Sequence, residues 1–241
     1  MNVGATNGDL VVVGDFNPDS VTAWARRSLG TWRSPIAPVR VARRYVATAP
    51  AEETLALPAG ARSASVVMGQ SLQLRSSDTD FVLLTLANFA LGSYAADSNR
   101  LVSALTKRRR VAGRAGAELR GFATDSAGVF MFAAHAGADS LGAAEQALRE
   151  ALTAVVRDGI TDAELATAKR QLLDAQSGGF YASSVYASYL GAEGREEMSI
   201  ADHQRMLQTL GSATRDQVNA AIRKHIDPAR MVVVRASPPG R

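Results

Sequence analysis

The sequence predicts an α+β fold, an αβ roll in which one antiparallel or mixed sheet is covered by helices on one face. Three observations carry this expectation. Short apolar runs of strand length alternate with helical patterns in the first part of the chain. Two strand-like segments, Ala115 to Phe122 and Val129 to His135, flank the hairpin-like connection Ala123-Thr124-Asp125-Ser126-Ala127-Gly128. Helical patterns then follow one another from Leu141 until a last apolar run at Met231 to Val234. No repeat of fixed period and no dividing linker is visible in the 241 residues, so one domain over residues 1–241 is expected.

The elements can be justified in order. Leu10-Val11-Val12-Val13-Gly14 reads as a buried strand. Asn17 caps a helix whose first residue is Pro18, where the missing N–H costs nothing. Val21, Trp24, Ala25, Ser28 and Leu29 follow at helical spacing, and Gly30 ends the run. Ser34 to Ala61 carries prolines and arginines and little pattern, so it reads as a connector. Ala64, Val66 and Met68 alternate with smaller residues, which predicts a half-buried strand over 62–74. Ser77, Asp78 and Asp80 open a helix with the apolar body Phe81 to Leu91 and the stop Gly92.

Asn99 to Arg109 reads as a short helix, and Leu141, Ala144, Leu148, Ala151, Leu152 and Val155 as an amphipathic one that ends near Gly159. Thr161-Asp162-Ala163-Glu164 and Thr214-Arg215-Asp216-Gln217 have the spacing of capping boxes and start two more. Gly178-Gly179 reads as a break before a helical stretch over 181–190.

Composition narrows the classes of function. Hydrophobic residues make up 46% and charged residues 21%, an ordinary globular balance. The net charge is +4, and every basic residue except Lys107, Lys169 and Lys224 is arginine. Acids are interspersed among them and no aromatic stacking platform accompanies them, so nucleic-acid binding is disfavoured. Cysteine is absent, which excludes disulfides and thiolate metal sites. No apolar run approaches the roughly 20 residues that cross a bilayer, and no basic-then-apolar leader is read at the N-terminus.

Histidine is the most informative omission. The only three are His135, His203 and His225, and no two share a metal-binding spacing. His135 is expected to be a packed or edge strand residue, His203 and His225 surface groups. Asp125 and Glu118 are not read as a working carboxylate pair.

Several segments then resemble, in the right order, the C-terminal half-domain of the pitrilysin/insulinase-type zinc peptidases, relatives of the mitochondrial processing peptidase. They are Leu10-Val-Val-Val-Gly-Asp-Phe-Asn-Pro, Leu29-Gly-Thr-Trp, Ser98-Asn-Arg-Leu, Leu105 to Gly113, Asp158-Gly-Ile-Thr-Asp-Ala-Glu-Leu and Asp227-Pro-Ala-Arg-Met-Val-Val-Val. The resemblance covers residues 8–236 and implies a roll that occurs twice, in one chain or two, closing around a peptide chamber. The family's catalytic half carries H-x-x-E-H on a helix, where two imidazoles one turn apart hold zinc and a glutamate activates water. The matching helix here, Phe81 to Leu91, offers neither imidazole nor carboxylate.

The resemblance therefore implies a metal-free half that holds no cofactor of its own and pairs with a zinc-bearing half, which hydrolyses the peptide. The family's non-catalytic half often supplies an arginine and a tyrosine seven residues apart. Those positions fall on Thr106 and Gly113, so a direct catalytic assist is in doubt. Candidate peptide contacts are Arg108, Arg109 and Arg110, with Tyr181 and Tyr186 from the aromatic group Phe180, Tyr181, Tyr186 and Tyr189. The plainer alternatives are a solvated helix end for the arginines and helix packing for the tyrosines. A periplasmic setting is implied by the resemblance alone. An isolated chain is expected to self-associate through the face it would bury in its partner. The competing reading is an interaction module of the same fold with no peptidase role.

Overall fold

The computed structural model describes residues 4–5, 8–36, 39–47, 49–92, 99–179, 183–194 and 199–239. Its sheet has five strands: β1 (Ala51–Ala56), β2 (Ser63–Leu72), β3 (Gly113–Arg120), β4 (Gly128–Gly137) and β5 (Val232–Ser237). They lie in the order β1-β5-β2-β4-β3. Only the β1–β5 pair is parallel; the other neighbours are antiparallel. The α+β expectation holds. The helices are α1 (Pro18–Leu29), α2 (Thr79–Leu91), α3 (Arg100–Ser103), α4 (Leu141–Asp158), α5 (Asp162–Gly179), α6 (Ser183–Gly194), α7 (Ile200–Ser212) and α8 (Arg215–His225).

Alternation sets which face of the sheet is core. Along β2, Ala64, Val66, Met68, Gln70 and Leu72 are buried while the residues between them are partly exposed. On β4, Phe130 and Phe132 point the same way, with ring centroids 4.6 Å apart. Helices α2 and α4 pack on this face, and α5, α7 and α8 pack in turn on α2. Leu84, Leu86 and Leu91 of α2 and Leu148 and Leu152 of α4 are fully buried there.

Local chemistry fixes the joints. Asn17 Oδ1 accepts from Ser20 N–H at 3.0 Å and Pro18 occupies the first turn of α1. The Thr161 box forms, with Glu164 Oε2 accepting from Thr161 N–H and Thr161 Oγ1 from Glu164 N–H; the Thr214 box is complete as well. Gly159 ends α4 with φ +76°, and a Cβ there would lie 2.4 Å from Asn219. That asparagine accepts from Ile160 N–H at 2.8 Å and donates to Ile160 C=O at 3.3 Å, tying the α4–α5 turn to α8.

Two strand expectations need correction. Leu10–Val13 is not a strand, and Leu10 and Val12 are exposed, because no ladder partner stands beside them among the described residues. Conversely, β1 lies inside the expected connector. All six of its residues are exposed, so no apolar alternation marks it. It is held by backbone pairing to β5 and by a charge cluster: Arg235 donates twice to Glu145 of α4, at 2.6 Å each, and to Glu52 of β1 at 2.9 Å. Arg149 adds a bond to Glu52 at 3.0 Å and one to Glu145 at 2.9 Å. Arg235 is pushed further into its charged range by Glu145, and Glu145 is held below the usual carboxylate range chiefly by Arg235. The glycine pair is not the expected break, since α5 runs through Gly179; residues 180–182 lie outside the described residues.

His203 is also a correction. It is 1% exposed on α7 rather than a surface group, and burial lowers its pKa. His225 is half-buried and its Nε2 meets Asp80 at 2.7 Å. Helices whose polar residues look solvated in sequence can still turn one imidazole inward.

Two predictions follow from these joints. Asn219→Ala leaves Ile160 N–H and C=O unpartnered and should cost about 1–3 kcal/mol in urea unfolding. For His203, a folded pKa below the unfolded value of about 6.5 means that its contribution to stability is complete above that pH and is lost as pH falls through it. His203→Gln should therefore flatten the loss of thermal midpoint between pH 7 and pH 5; an unchanged slope would count against the assignment.

Candidate functional site

The other face of the sheet carries no helix packed on it among the described contacts. Strand register builds it in rows. Val234 of β5, Val67 of β2, Ala133 of β4 and Gly116 of β3 form one; Val232, Gly69, Met131 and Glu118 form the next. A third runs through Ala236, Ser65, His135 and Arg114. Val67, Gly69, Met131, Val232 and Val234 are partly exposed, Ala133 and Gly116 are buried, Ser71 at one end of the face donates to Val46 C=O of the connector, and the rim at β3 carries charge. A Cβ on Gly69 would lie 3.3 Å from Met131 Cγ, so Met131 lies across that glycine. His135 Nδ1 and Ser65 Oγ are 2.8 Å apart on the exposed side; β4 is an interior strand, so this histidine is exposed on a sheet face rather than packed or at an edge. Glu118 pairs with Arg120 at 2.6 Å and Asp125 with Arg40, so the two acids do not meet. Burial pushes the Asp125 carboxyl up, but Arg40 and Arg43 outweigh it and hold it low.

Helix α2 occupies the place where the resemblance puts a metal site. It carries no imidazole; Val82, Leu83, Leu84, Leu86, Ala87, Ala90 and Leu91 are buried around it. Its one carboxylate, Asp80 in the first turn, is held low by Lys224 and then His225, each 2.7 Å away. No group of three or more His, Cys, Asp or Glu suited to a metal exists among the described residues. These side chains do not fit zinc.

The predicted contact residues are spread over different elements. Helix α3 continues into a π-helical turn, Ala104–Arg108, which ends at Arg109. Arg109 is paired with Glu150 of α4, on the helix-covered side, while Arg108 and Arg110 are exposed. Arg110 has φ +54°, the left-handed region that turns the chain into β3. Tyr186 is exposed on α6, which packs on α7. Tyr181 and Phe180 lie outside the described residues. Thr106 Oγ1 donates to Val102 C=O within its own helix. A Cβ at Gly113 would lie 2.2 Å from His135 O, so this backbone does not admit the tyrosine expected there.

Sequence reasoning missed the clamp that joins two of the resembling segments. Arg100 donates to Glu164 at 2.8 and 2.5 Å and to Gly159 C=O at 2.9 Å. Burial raises the Glu164 pKa, but Arg100 and Thr161 more than offset it. Both segments carried the family resemblance; their contact was not readable in the sequence.

Residues 3–172 match the family described as the Peptidase M16 inactive domain, and the chain belongs to that family. Among solved structures it is similar to a peptidase M16 inactive domain from Pseudomonas fluorescens, with TM-score 0.75 and 21% identity over 91% of this chain and 50% of that one. A protease from Helicobacter pylori gives TM-score 0.76 and 18% identity over 94% and 54%. An inactive peptidase domain from Bordetella parapertussis gives TM-score 0.61 and 20% identity over 77% and 96%. The chain thus spans about half the length of the first two. No curated protein matches. Among the described residues no helix is long and apolar enough to cross a membrane.

The uncovered face makes a sharp prediction. Phe132→Ala, on the helix side, should cost about 3–5 kcal/mol, whereas Met131→Ala, its neighbour on the open side, should cost about 1 kcal/mol or less in the same denaturation assay.

Proposed function

We propose that this chain is the metal-free half of a pitrilysin-type zinc peptidase. It forms one wall of a peptide chamber and pairs with a zinc-bearing half that performs hydrolysis. The sheet face opposite the helices is the observation that carries the reading: an antiparallel sheet can leave one face to water, but a solvated face is polar, and this one bears Val67, Met131, Val232 and Val234, as a face that meets a second body would. Two facts support it further. The chain spans about half of its longer structural relatives, and the helix where the family would place its metal is built as core. Zinc belongs to the companion, and peptide contacts here come from the open face; Arg108, Arg110 and Tyr186 are exposed, but Tyr186 lies on α6 and the turn that ends at Arg108 lies against α4, both on the helix-covered side.

A second reading, a scaffold without peptidase role, is favoured by Thr106 and Gly113, since the backbone at Gly113 leaves no room for a side chain. An H-x-x-E-H segment encoded before or beside this chain supports the first reading, and its absence the second.

The test is reconstitution. The purified chain should bind no zinc and cut no peptide, and addition of the zinc-bearing half should give cleavage that a chelator abolishes and that the zinc-bearing half alone lacks. Zinc-dependent hydrolysis by the chain alone, or full cleavage by the companion without it, would refute the proposal.

A further inference from the structure

We infer that the joint between the ends of α4 and α8 and the start of β5 is a binding site for an amphipathic anion, a carboxylate or phosphate monoester carried on an apolar stem. The site goes beyond the pairing argued above and does not depend on it, since its walls are built from this chain alone. Two cavities meet there. One of about 730 Å³ opens between the last residues of β2, the end of α8 and Tyr45 of the connector. The other, of about 520 Å³, lies between α4 and the turn Pro228–Arg230 that leads into β5. Val156, Asp227 and Pro228 line both, so they are adjoining chambers of one cleft. Each falls within the size of small-molecule sites, about 300–1,000 Å³.

The wall of the larger chamber is rich in donors and poor in acceptors. Arg223, Lys224 and Arg230 line it, against a single carboxylate, Asp227. That carboxylate is already engaged, its Oδ1 accepting from Ala229 N–H at 2.9 Å. Lys224 and His225 are turned to Asp80, each at 2.7 Å. Gln70 uses both ends of its amide on the backbone, donating to His225 C=O and accepting from Asp227 N–H. Arg223, Arg230, Gln73 and the Tyr45 hydroxyl remain, and none of these side chains has a hydrogen-bond or ion-pair partner among the described residues. A lone exposed arginine needs no ligand. Two on the wall of one cavity, over an apolar floor, define a place for an oxyanion, which guanidinium forks bind with paired hydrogen bonds.

The floor supplies the second half of the specificity. Leu72, Leu74 and Ile226 line the larger chamber, and Met68, Leu152 and Met231 the smaller; all six are buried core residues. A bare phosphate would leave this apolar surface to water. A wholly apolar ligand would strip water from the guanidiniums and replace it with nothing. The occupant that answers both demands is an anion with an apolar stem, its head on Arg223 and Arg230 and its stem passing Val156 toward Met68. A basic ligand is disfavoured by the same wall. Because the cleft joins α4, α8 and the entry to β5, a ligand seated in it holds three elements together and stabilises the folded chain.

The test titrates the 241-residue chain with decanoate and with decyl phosphate, each below its micellar concentration, by isothermal calorimetry. One equivalent of at least one of them should bind and raise the thermal midpoint, and the tighter of the two identifies the head group. Arg223→Ala with Arg230→Ala should weaken that binding by about tenfold or more. Both side chains are exposed, so the thermal midpoint of the free double variant should stay that of the parent. Val156→Phe narrows the junction of the chambers without altering charge and should weaken binding as well. Equal affinity for decyltrimethylammonium, or undiminished binding by the double variant, overturns the anion site. Inorganic phosphate binding as tightly as decyl phosphate, or undiminished binding by Val156→Phe, overturns the apolar stem. No binding of either decyl anion overturns the inference outright.

Discussion

Everything in this structure follows from a sheet that is dressed on one side. Alternate residues of β2 and β4 are buried against α2 and α4, and because side chains change face at every residue, the intervening set must face away. A shift of one residue would exchange the two sets, so burial of Met68, Phe130 and Phe132 fixes the register and the identity of the open face together. The same constraint shapes α2. A helix that binds zinc needs one polar side turned to solvent or substrate, but α2 is wedged between the sheet and α5, α7 and α8. Its side chains are apolar on nearly every side, as a helix enclosed all round requires.

The segments that carry the family resemblance act as clamps. Arg100 reaches the carbonyl of Gly159 and the carboxylate of Glu164, so two stretches far apart in sequence form one joint. Asn219 secures the following residue, Ile160. Gln70, buried on the core side of β2, donates to His225 C=O at 2.5 Å and accepts from Asp227 N–H at 2.9 Å, fixing the entry to β5. Each satisfies backbone groups that a turn leaves unpaired, and an unmet buried group is costly. Together these bonds hold the roll across its turns.

Most helices were legible because their ends are written in local chemistry. Asn17-Pro18, Thr161 with Glu164, Thr214 with Gln217, Gly92 and Gly159 all act where the spacing places them. Strands fared less evenly, since a strand is defined by its neighbour. Leu10–Val13 has the composition of a strand without a ladder, and β1 has a ladder without the composition. Burial of single polar groups was the least legible. His203 and His225 sit in sequences of similar polarity, yet one is enclosed and the other rests against Asp80. At the site, the missing ligands of α2 were plain in the sequence. The restriction at Gly113 was not, because it comes from His135 O on the adjacent strand.

The edges of the sheet bear on how the chain meets a partner. On β1, Glu52 is bound into the Arg235 and Arg149 cluster and Glu53 is exposed. On β3, Arg114 and Arg120 are exposed, and Ala117 N–H already donates to Gly92 C=O at 2.7 Å. Charge and partial pairing blunt such edges against added strands. Neither edge therefore offers Leu10–Val13 an apolar place, within the molecule or from another copy. What remains of the sheet is its open face, which strand register defines. Under the proposed pairing the open face encloses the peptide.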